Sequence, residues 1–419
     1  MLDIEPLLAR VQKPARYAGG EWNAVRKDWD KAAVRVAFAF PDVYEVGMSY
    51  LGLQILYHLV NSREDALMER VFAPWVDMEG EMRRRGVPLF TLESRRPVRD
   101  FDILAFTLQY ELTFTNVLNM LDLAGLPLRA AARGPGHPLV VAGGPCAFNP
   151  EPLADFVDLF VIGEGEEVLG ELLDLYLELG GRRGDRQLFL RRAASIPGVY
   201  VPSLYRVLYR DDGAVSRVEP VAAGVPPRVT KRVVRRFDGA PFPTRPVVPY
   251  LGVVHDRGML EIQRGCTRGC RFCQAGMIYR PVREKHPDTL LRQAAELIKN
   301  TGYEELSLVS LSTADYSRVR ELVRSLLDSF EGMGVSVSLP SLRVDAFSVD
   351  LAREVQRVRR STLTFAPEAG TQRLRDVINK GVTEEDLLGA AAAAFAAGWT
   401  AIKLYFMIGL PTETDEDLE

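Results

Sequence analysis

The residues from Gly258 to Pro281 read GMLEIQRGCTRGCRFCQAGMIYRP. A strand candidate, Met259 to Gln263, feeds a loop that carries Cys266, Cys270 and Cys273 within eight residues. Three thiolates at that spacing can turn inward from one short loop and bind three corners of a metal cluster. Gly265 and Gly269 supply the backbone freedom that such a loop needs. With three ligands, the fourth iron of a 4Fe–4S cluster stays open to another molecule. Two alternatives stand beside this reading: a zinc site completed by His255 or His286, and unrelated buried thiols. A strand entering such a loop also sets the fold, because the rim beyond parallel strands is where β/α barrels keep their chemistry.

Working outward, the same strand-and-helix alternation continues downstream. Strand candidates are Glu305 to Leu311, Val335 to Leu342, Thr362 to Glu368 and Ala401 to Leu410, separated by helical stretches such as TLLRQAAELIKNTG and EEDLLGAAAAAFAAGW. With Met259 to Gln263 they make five strands of a partial β/α (TIM-like) barrel over residues 251–419. The chain stops at Glu419 within TETDEDLE, a fresh acidic helix start. A sixth unit is therefore expected beyond it, with the chain read as part of a longer protein.

Upstream, VRVAFAF (Val34 to Phe40) is a continuous apolar run of the kind buried on both faces of a sheet. SYLGLQILYHLV follows with helical spacing, then LMERVFAP, WVDMEGEMRRRG, PLFTLES, DILAFTLQY and LTFTNVLNMLDLAG. PLVVAGG, DLFVIGEG and a closing helix, EEVLGELLDLYLELG, complete the series. This predicts an open parallel α/β sheet over residues 31–180, preceded by a leader, 1–30. Residues 181–250 read as a β-hairpin turning at Asp211-Asp212-Gly213 and a Pro-rich basic connector.

Composition agrees with this organisation. The 419 residues are 47% hydrophobic and 26% charged, which excludes a disordered or fibrous chain. A formal net charge of -4 gives no bulk argument for nucleic acid. The basic run Arg228 to Arg236 reads as a solvated strand face, with an RNA phosphate contact as the alternative. Four cysteines in so long a chain are not a disulfide framework, and Cys146 reads as a small buried residue. No apolar run reaches the roughly 18 residues of a membrane helix. Asp3 and Glu5 stand where a signal peptide would be basic. A cytoplasmic protein without a membrane partner is expected.

The cysteine spacing after a strand, with Phe272 just before the last cysteine, resembles the radical S-adenosylmethionine (SAM) superfamily. TFAPEAGTQRLRDVINKGVTEED and FMIGLPTETDEDL resemble stretches of its cobalamin-associated members, and the first domain resembles their cobalamin-binding, flavodoxin-type domain. The resemblance implies that Cys266, Cys270 and Cys273 ligate a 4Fe–4S cluster whose open iron is chelated by SAM. It implies reductive cleavage of SAM to methionine and a 5′-deoxyadenosyl radical, fed by a flavodoxin- or ferredoxin-type reductant. It also implies SAM contacts: Phe272 by the adenine, Glu368 near the ribose or amino group, and Leu410 in the strand end that closes over the adenine. Ser312 and Asp315 stand where relatives carry a glycine-glycine-glutamate, and Arg343 is a cation placed to meet the SAM carboxylate. As simpler alternatives, Glu368 caps a helix near Gly370 and Asp315 is an ordinary helix N-terminal acid.

In the first domain, relatives carry Asp-x-His-x-x-Gly after the first strand. Here Asp42, Tyr44 and Gly47 keep the spacing but lose the histidine, and a neutral phenol is a poor cobalt ligand. Gly143 and Gly144 match a double glycine that lets backbone approach the cofactor tail. Three outcomes stay open: cobalamin bound without histidine ligation, bound weakly, or only the fold retained. With cobalamin, methyl transfer to an unactivated carbon is implied; without it, modification of an RNA or a peptide. A methylthiotransferase would want a second cysteine trio, which the first domain lacks. A non-catalytic electron-transfer or scaffold protein is the remaining alternative.

Overall fold

The computed structural model describes residues 2–340, 343–345, 353–354 and 363–419. Ser341, Leu342 and Thr362, to which the sequence reading carried two strands, lie outside the described residues. The chain divides into two compact units, Met1–Val234 with Ala240–Asp256, and Arg235–Gly239 with Arg257–Glu419.

The first unit is built on six strands: β1 (Val34–Phe40), β2 (Ala66–Phe72), β3 (Ile103–Thr107), β4 (Leu139–Gly143), β5 (Leu159–Val161) and β6 (Val199–Tyr200). Their order is β2-β1-β3-β4-β5-β6, the doubly wound order of flavodoxin-type sheets with one strand added. Val34 pairs with Ala66, Val36 with Ile103, Ile103 with Leu139 and Val141 with Leu159, all in parallel. Only β6 runs antiparallel, Phe160 facing Tyr200. Successive residues of β1 point to opposite faces. Val34, Val36, Phe38 and Phe40 enter one core with the helices Leu51–Asn61 and Gly165–Glu178, while Ala37 and Ala39 enter the other with Val76–Arg85 and Phe114–Leu123. A strand buried on both faces is apolar wherever no buried partner meets a polar side chain, which is why VRVAFAF shows no alternation, its one polar residue, Arg35, being half-buried.

Local chemistry fixes the helix ends. Val76–Arg85 carries Asp77 and Glu79 in its first turn and three arginines in its last, and stops at Gly86 with φ +65°, matching charge to the helix dipole. PLFTLES forms no ladder strand; Phe90 makes a single bridge to Pro97. The expected hairpin is present as β7 (Tyr205–Tyr209) and β8 (Val215–Pro220), Tyr205 facing Pro220. Within the basic run, Arg232 bridges to Gly163 and pairs with Glu167 and Glu171.

At the end of β4, Gly144 has φ +101°, and an added Cβ would lie 2.6 Å from the Leu108 carbonyl oxygen. Both backbone strain and the clash argue for glycine alone at this point. Gly144→Ala is expected to destabilise the first unit by about 2–3 kcal/mol, read as a lower urea midpoint at unchanged slope.

In the second unit, β9 (Gly258–Glu261), β12 (Glu305–Val309) and β13 (Ser336–Ser338) form a parallel sheet in the order β13-β12-β9. A second parallel pair joins β14 (Leu363–Glu368) to β15 (Ile402–Phe406). A short antiparallel pair, β10 (Gln263–Arg264) with β11 (Arg283–Glu284), closes the base of the cysteine loop. The helices Pro287–Thr301 and Val319–Phe330 follow β9 and β12 in turn, giving repeated β/α units. No helix among the described residues is long and apolar enough to cross a membrane.

Candidate active site

The cysteine loop leaves β10, turns through Cys266, Cys270 and Cys273, and returns through the helix Gln274–Ile278 to β11. Gly265 sits at its neck with φ +92°, where a Cβ would lie 2.6 Å from the Tyr279 carbonyl oxygen and 2.7 Å from that of Pro281. Only glycine lets the outgoing and returning chains approach so closely. Arg280 Nε donates to the Cys266 carbonyl oxygen at 3.2 Å. The Gly276 N–H donates to Cys273 Sγ at 3.3 Å, and Arg343 Nη1 donates to Cys270 Sγ at 3.9 Å. Cys270 is buried; its two partners are half-buried.

These residues fit an iron–sulfur cluster. All three cysteines are free thiols on one loop, and two sulfurs already face N–H donors, the outer contacts that set a cluster's properties. Among the described residues, no three His, Cys, Asp or Glu side chains converge closely enough for one metal ion. Zinc needs its thiolates within about 2.3 Å of a single centre, whereas a cubane seats each cysteine on a different iron. His286 is engaged elsewhere, its Nδ1 accepting the Asp288 N–H at the start of Pro287–Thr301.

The loop is tied to residues downstream of β12, β13 and β14. Beyond β12, Asp315 accepts Arg268 Nε at 2.8 Å and also bonds Arg268 Nη2. Those bonds, against the opposing effect of burial, hold the Asp315 carboxyl below its ordinary range and raise the Arg268 guanidinium. A depressed carboxyl contributes stability above the ordinary carboxylate range and loses it as pH falls through the depressed value, so this tether holds at neutral pH. Beyond β13, Asp345 accepts Arg268 Nη1 at 3.0 Å and Arg343 Nε at 2.9 Å. Arg343 Nη2 also reaches the Lys380 carbonyl oxygen at 2.8 Å.

Glu368 ends β14 with φ +70° and meets Lys380 Nζ at 3.0 Å. Lys380 Nζ stands 5.9 Å from the centre of the half-exposed Phe272 ring. The turn 377–380 clamps the loop: Ile378 O accepts the Arg271 N–H at 2.9 Å, and Asn379 Nδ2 donates to Gly269 O at 2.9 Å. Beyond β15, Leu410 is buried with Ala369, Leu374 and Ile378.

The helix after Glu368 begins at Gln372 and is capped by Thr371, so Glu368 does not cap it. Asp315 ends a short 3₁₀ turn, Thr313–Asp315, and its carboxylate faces Arg268. Ser312 is buried with its hydroxyl in no full hydrogen bond, close enough to Asp315 to help keep that carboxylate ionised. The sequence reading missed Arg268, Asp345 and Lys380 as members of this set. The quoted Asn379-Lys380-Gly381 was the one available signal.

In the first unit, the residues after β1 and β3 meet at the switch point of the sheet, where such folds bind ligands. Asp42 accepts the Val43 N–H at 2.7 Å and the Tyr110 hydroxyl at 3.0 Å, joining the two loops. Tyr44 turns inward. It is 1% exposed, donates to Glu21 Oε1 at 2.9 Å and packs against Phe72 with ring centres 5.2 Å apart. Burial, with Glu21 beside it, pushes its phenol far above the ordinary range. Tyr44 is therefore a core residue in a charge network and offers no phenolate to a metal. Gly47 packs the same way, a Cβ there meeting Phe72 at 2.3 Å. At Gly143 an added Cβ would make only ordinary contact with Val161, at 3.6 Å. Cys146 is buried, its thiol pushed up to about 12 by burial. No residue of 41–48 is a histidine, so that loop does not fit histidine-on ligation of a corrinoid.

Comparison with known proteins adds a family to this geometry. The family model "Radical SAM proteins, N-terminal" matches residues 52–202, and "Radical SAM superfamily" matches residues 260–419. Uncharacterized protein MJ0966 of Methanocaldococcus jannaschii is 31% identical over 390 residues, 93% of this chain and 72% of that protein. Uncharacterized methyltransferase PH0819 of Pyrococcus horikoshii is 25% identical over 288 residues, 67% of this chain and 56% of that protein. Among solved structures, the methyltransferase TsrM of Kitasatospora setae, with cobalamin and a [4Fe-4S] cluster bound, superposes with a TM-score of 0.60 at 15% identity. That likeness covers 92% of this chain and 71% of TsrM, and at such identity it speaks for the fold alone.

Proposed function

The chain belongs to the radical SAM superfamily, and from that membership we propose that Cys266, Cys270 and Cys273 hold the 4Fe–4S cluster on which it cleaves SAM to start radical chemistry on a second molecule. When bound, the cluster supplies one electron to the SAM sulfonium, which breaks into methionine and a 5′-deoxyadenosyl radical. The observation that carries the reading is the hydrogen-bonded union of the cysteine loop with Asp315, Asp345 and the Ile378–Lys380 turn.

This chain's residues hold and orient the substrate. Asp315 and Ser312 lie beyond β12 to receive the methionine amine. Glu368 stands for the ribose or amino group, Phe272 presents backbone and ring to the adenine, and Leu410 gives an apolar wall. Glu368 and Lys380 neutralise each other at 3.0 Å, a pair of opposite charges that a zwitterionic amino acid can divide between its ammonium and carboxylate. Arg343 is engaged by Asp345 and Lys380 and stands at the cluster side. The electron donor is a flavodoxin- or ferredoxin-type protein.

A second element of the reading is favoured by the β2-β1-β3-β4-β5 order and by the likeness to TsrM. The first unit would take a corrinoid at its switch point without histidine ligation, and the corrinoid would supply the methyl group in a methyl transfer. Tyr110 and Leu112, which follow β3, are exposed and available to such a group.

Anaerobic reconstitution with iron, sulfide, SAM and dithionite tests the first element. Formation of 5′-deoxyadenosine and methionine in equal amounts is expected. A fully assembled cluster that leaves SAM intact would contradict it. A corrinoid spectrum that survives desalting after incubation with hydroxocobalamin is expected for the second, and its loss on desalting would overturn that element alone.

A further inference from the structure

The charged residues around the cysteine loop form a ladder of alternating sign that ends on a sulfur atom. Asp315 bonds Arg268, Arg268 bonds Asp345, Asp345 bonds Arg343, and Arg343 Nη1 reaches Cys270 Sγ at 3.9 Å. Two carboxylates and two guanidiniums cancel, so the ladder brings no net charge to the site. It is polarised instead, with its cationic end at the thiolate and its anionic end at Asp315. Arg343 Nη2 fixes that pose further, donating to the Lys380 carbonyl oxygen at 2.8 Å and to the second oxygen of the same Asp345 carboxylate at 3.3 Å. Its side chain is 11% exposed and that of Asp345 15%, so solvent screens the contact little. A planar guanidinium held by a carboxylate and a carbonyl has one edge left, and that edge faces sulfur.

We infer that Arg343 sets the reduction potential of the cluster through its N–H···S contact with Cys270, and is a tuning residue rather than the grip on the SAM carboxylate. Reduction adds negative charge that spreads onto the thiolate sulfurs. A cationic donor at one of them stabilises the reduced form more than the oxidised form, which raises the potential. Asp345 acts in the opposite sense, as the nearest negative charge beyond the guanidinium. The inference rests on the cluster assignment above, and its failure is separable from failure of that assignment because assembly is measured independently.

The test is an EPR-monitored redox titration of the reconstituted protein, with iron and sulfide counted on every sample. Arg343→Gln is expected to keep its iron and sulfide, and to lower the ratio of reduced to oxidised cluster at a fixed potential about tenfold, equivalent to about 59 mV for one electron. SAM affinity, read from the change that SAM makes in the EPR signal, is expected to change less than about twofold. Arg343→Lys, which keeps the charge but loses the fork, is expected to fall between wild type and glutamine. Asp345→Asn is expected to shift the potential upward, and it carries the test should Arg343→Gln fail to assemble a cluster. An unmoved potential in an intact Arg343→Gln cluster overturns the inference, as does a downward shift in Asp345→Asn. A large loss of SAM affinity at constant potential would return Arg343 to the SAM carboxylate. A wild-type protein that assembles no cluster would instead refute the assignment beneath it.

Discussion

Replacing Cys270 with alanine is expected to abolish SAM cleavage, lowering 5′-deoxyadenosine formation by more than about 100-fold. The scale follows from what weaker changes do: removing a group that merely orients a metal ligand costs about 10- to 100-fold, and here the ligand itself is lost. Cys270 is the most buried of the three thiols, and it alone meets the Arg343 guanidinium. Two remaining cysteines cannot seat three irons, so the iron count is expected to fall with the activity. The fold should stay, since Cys270 contributes little apolar area and the loop keeps its bonds through Arg271 and Asn379. Circular dichroism matching wild type, together with loss of iron and product, is the expected pattern. Wild-type product from this variant would remove the cysteine trio from the mechanism.

The largest effect on stability is expected in the first unit, at Arg70. This residue has no exposed surface, and its guanidinium meets Glu93 at 2.7 Å and Glu21 at 2.8 Å, both buried. Tyr44 donates to the same Glu21, so one cation holds the leader, β2 and the loop after β1 together. Burial pushes both carboxyls up. The Arg70 charge overcomes this at Glu21, which sits below its ordinary range, while Glu93 stays above. Arg70→Met leaves two buried carboxylates without a counter-charge and is expected to cost about 3–5 kcal/mol. The depressed carboxyl of Glu21 gives wild type a contribution that is present above the ordinary carboxylate range and lost as pH falls through the depressed value. In the variant the orphaned carboxyls bind protons more readily, so the gap from wild type narrows on acidification. Urea unfolding followed by tryptophan fluorescence at neutral and mildly acidic pH measures both, since Trp22, Trp29 and Trp75 lie in this unit. Changing Glu21 and Glu93 to leucine together with Arg70→Met is expected to recover only part of the loss, because the Tyr44 hydroxyl and the Arg70 backbone N–H lose their acceptors.

What the sequence disclosed, and what it hid, follows the range of the interactions. β1 was legible because a strand buried on both faces shows as an apolar run without alternation, here interrupted only by Arg35, and the cysteine loop because its ligands lie within one turn of chain. β6 was not, since its two residues join β5 antiparallel after two helices, Gly165–Glu178 and Arg186–Ala193. The inward turn of Tyr44 was hidden too: its position repeats a ligand-like spacing, while the glutamate that claims it lies 23 residues upstream. The charge ladder joins residues 47 and 77 positions apart. Charged residues in a glycine-containing loop read as solvated until the chain is folded. Arg268 and Asp345 thus carried no local signal, although they hold the loop that did.

The central claim is that three cysteines leave one iron corner open for SAM. Mössbauer spectroscopy of the anaerobically reconstituted protein, recorded without and with SAM, addresses that corner directly. The account predicts a 4Fe–4S spectrum in which one iron site shifts distinctly when SAM is added while the other three stay put. A spectrum that SAM leaves unchanged, or a preparation in which the loop takes up zinc in place of iron, would contradict it.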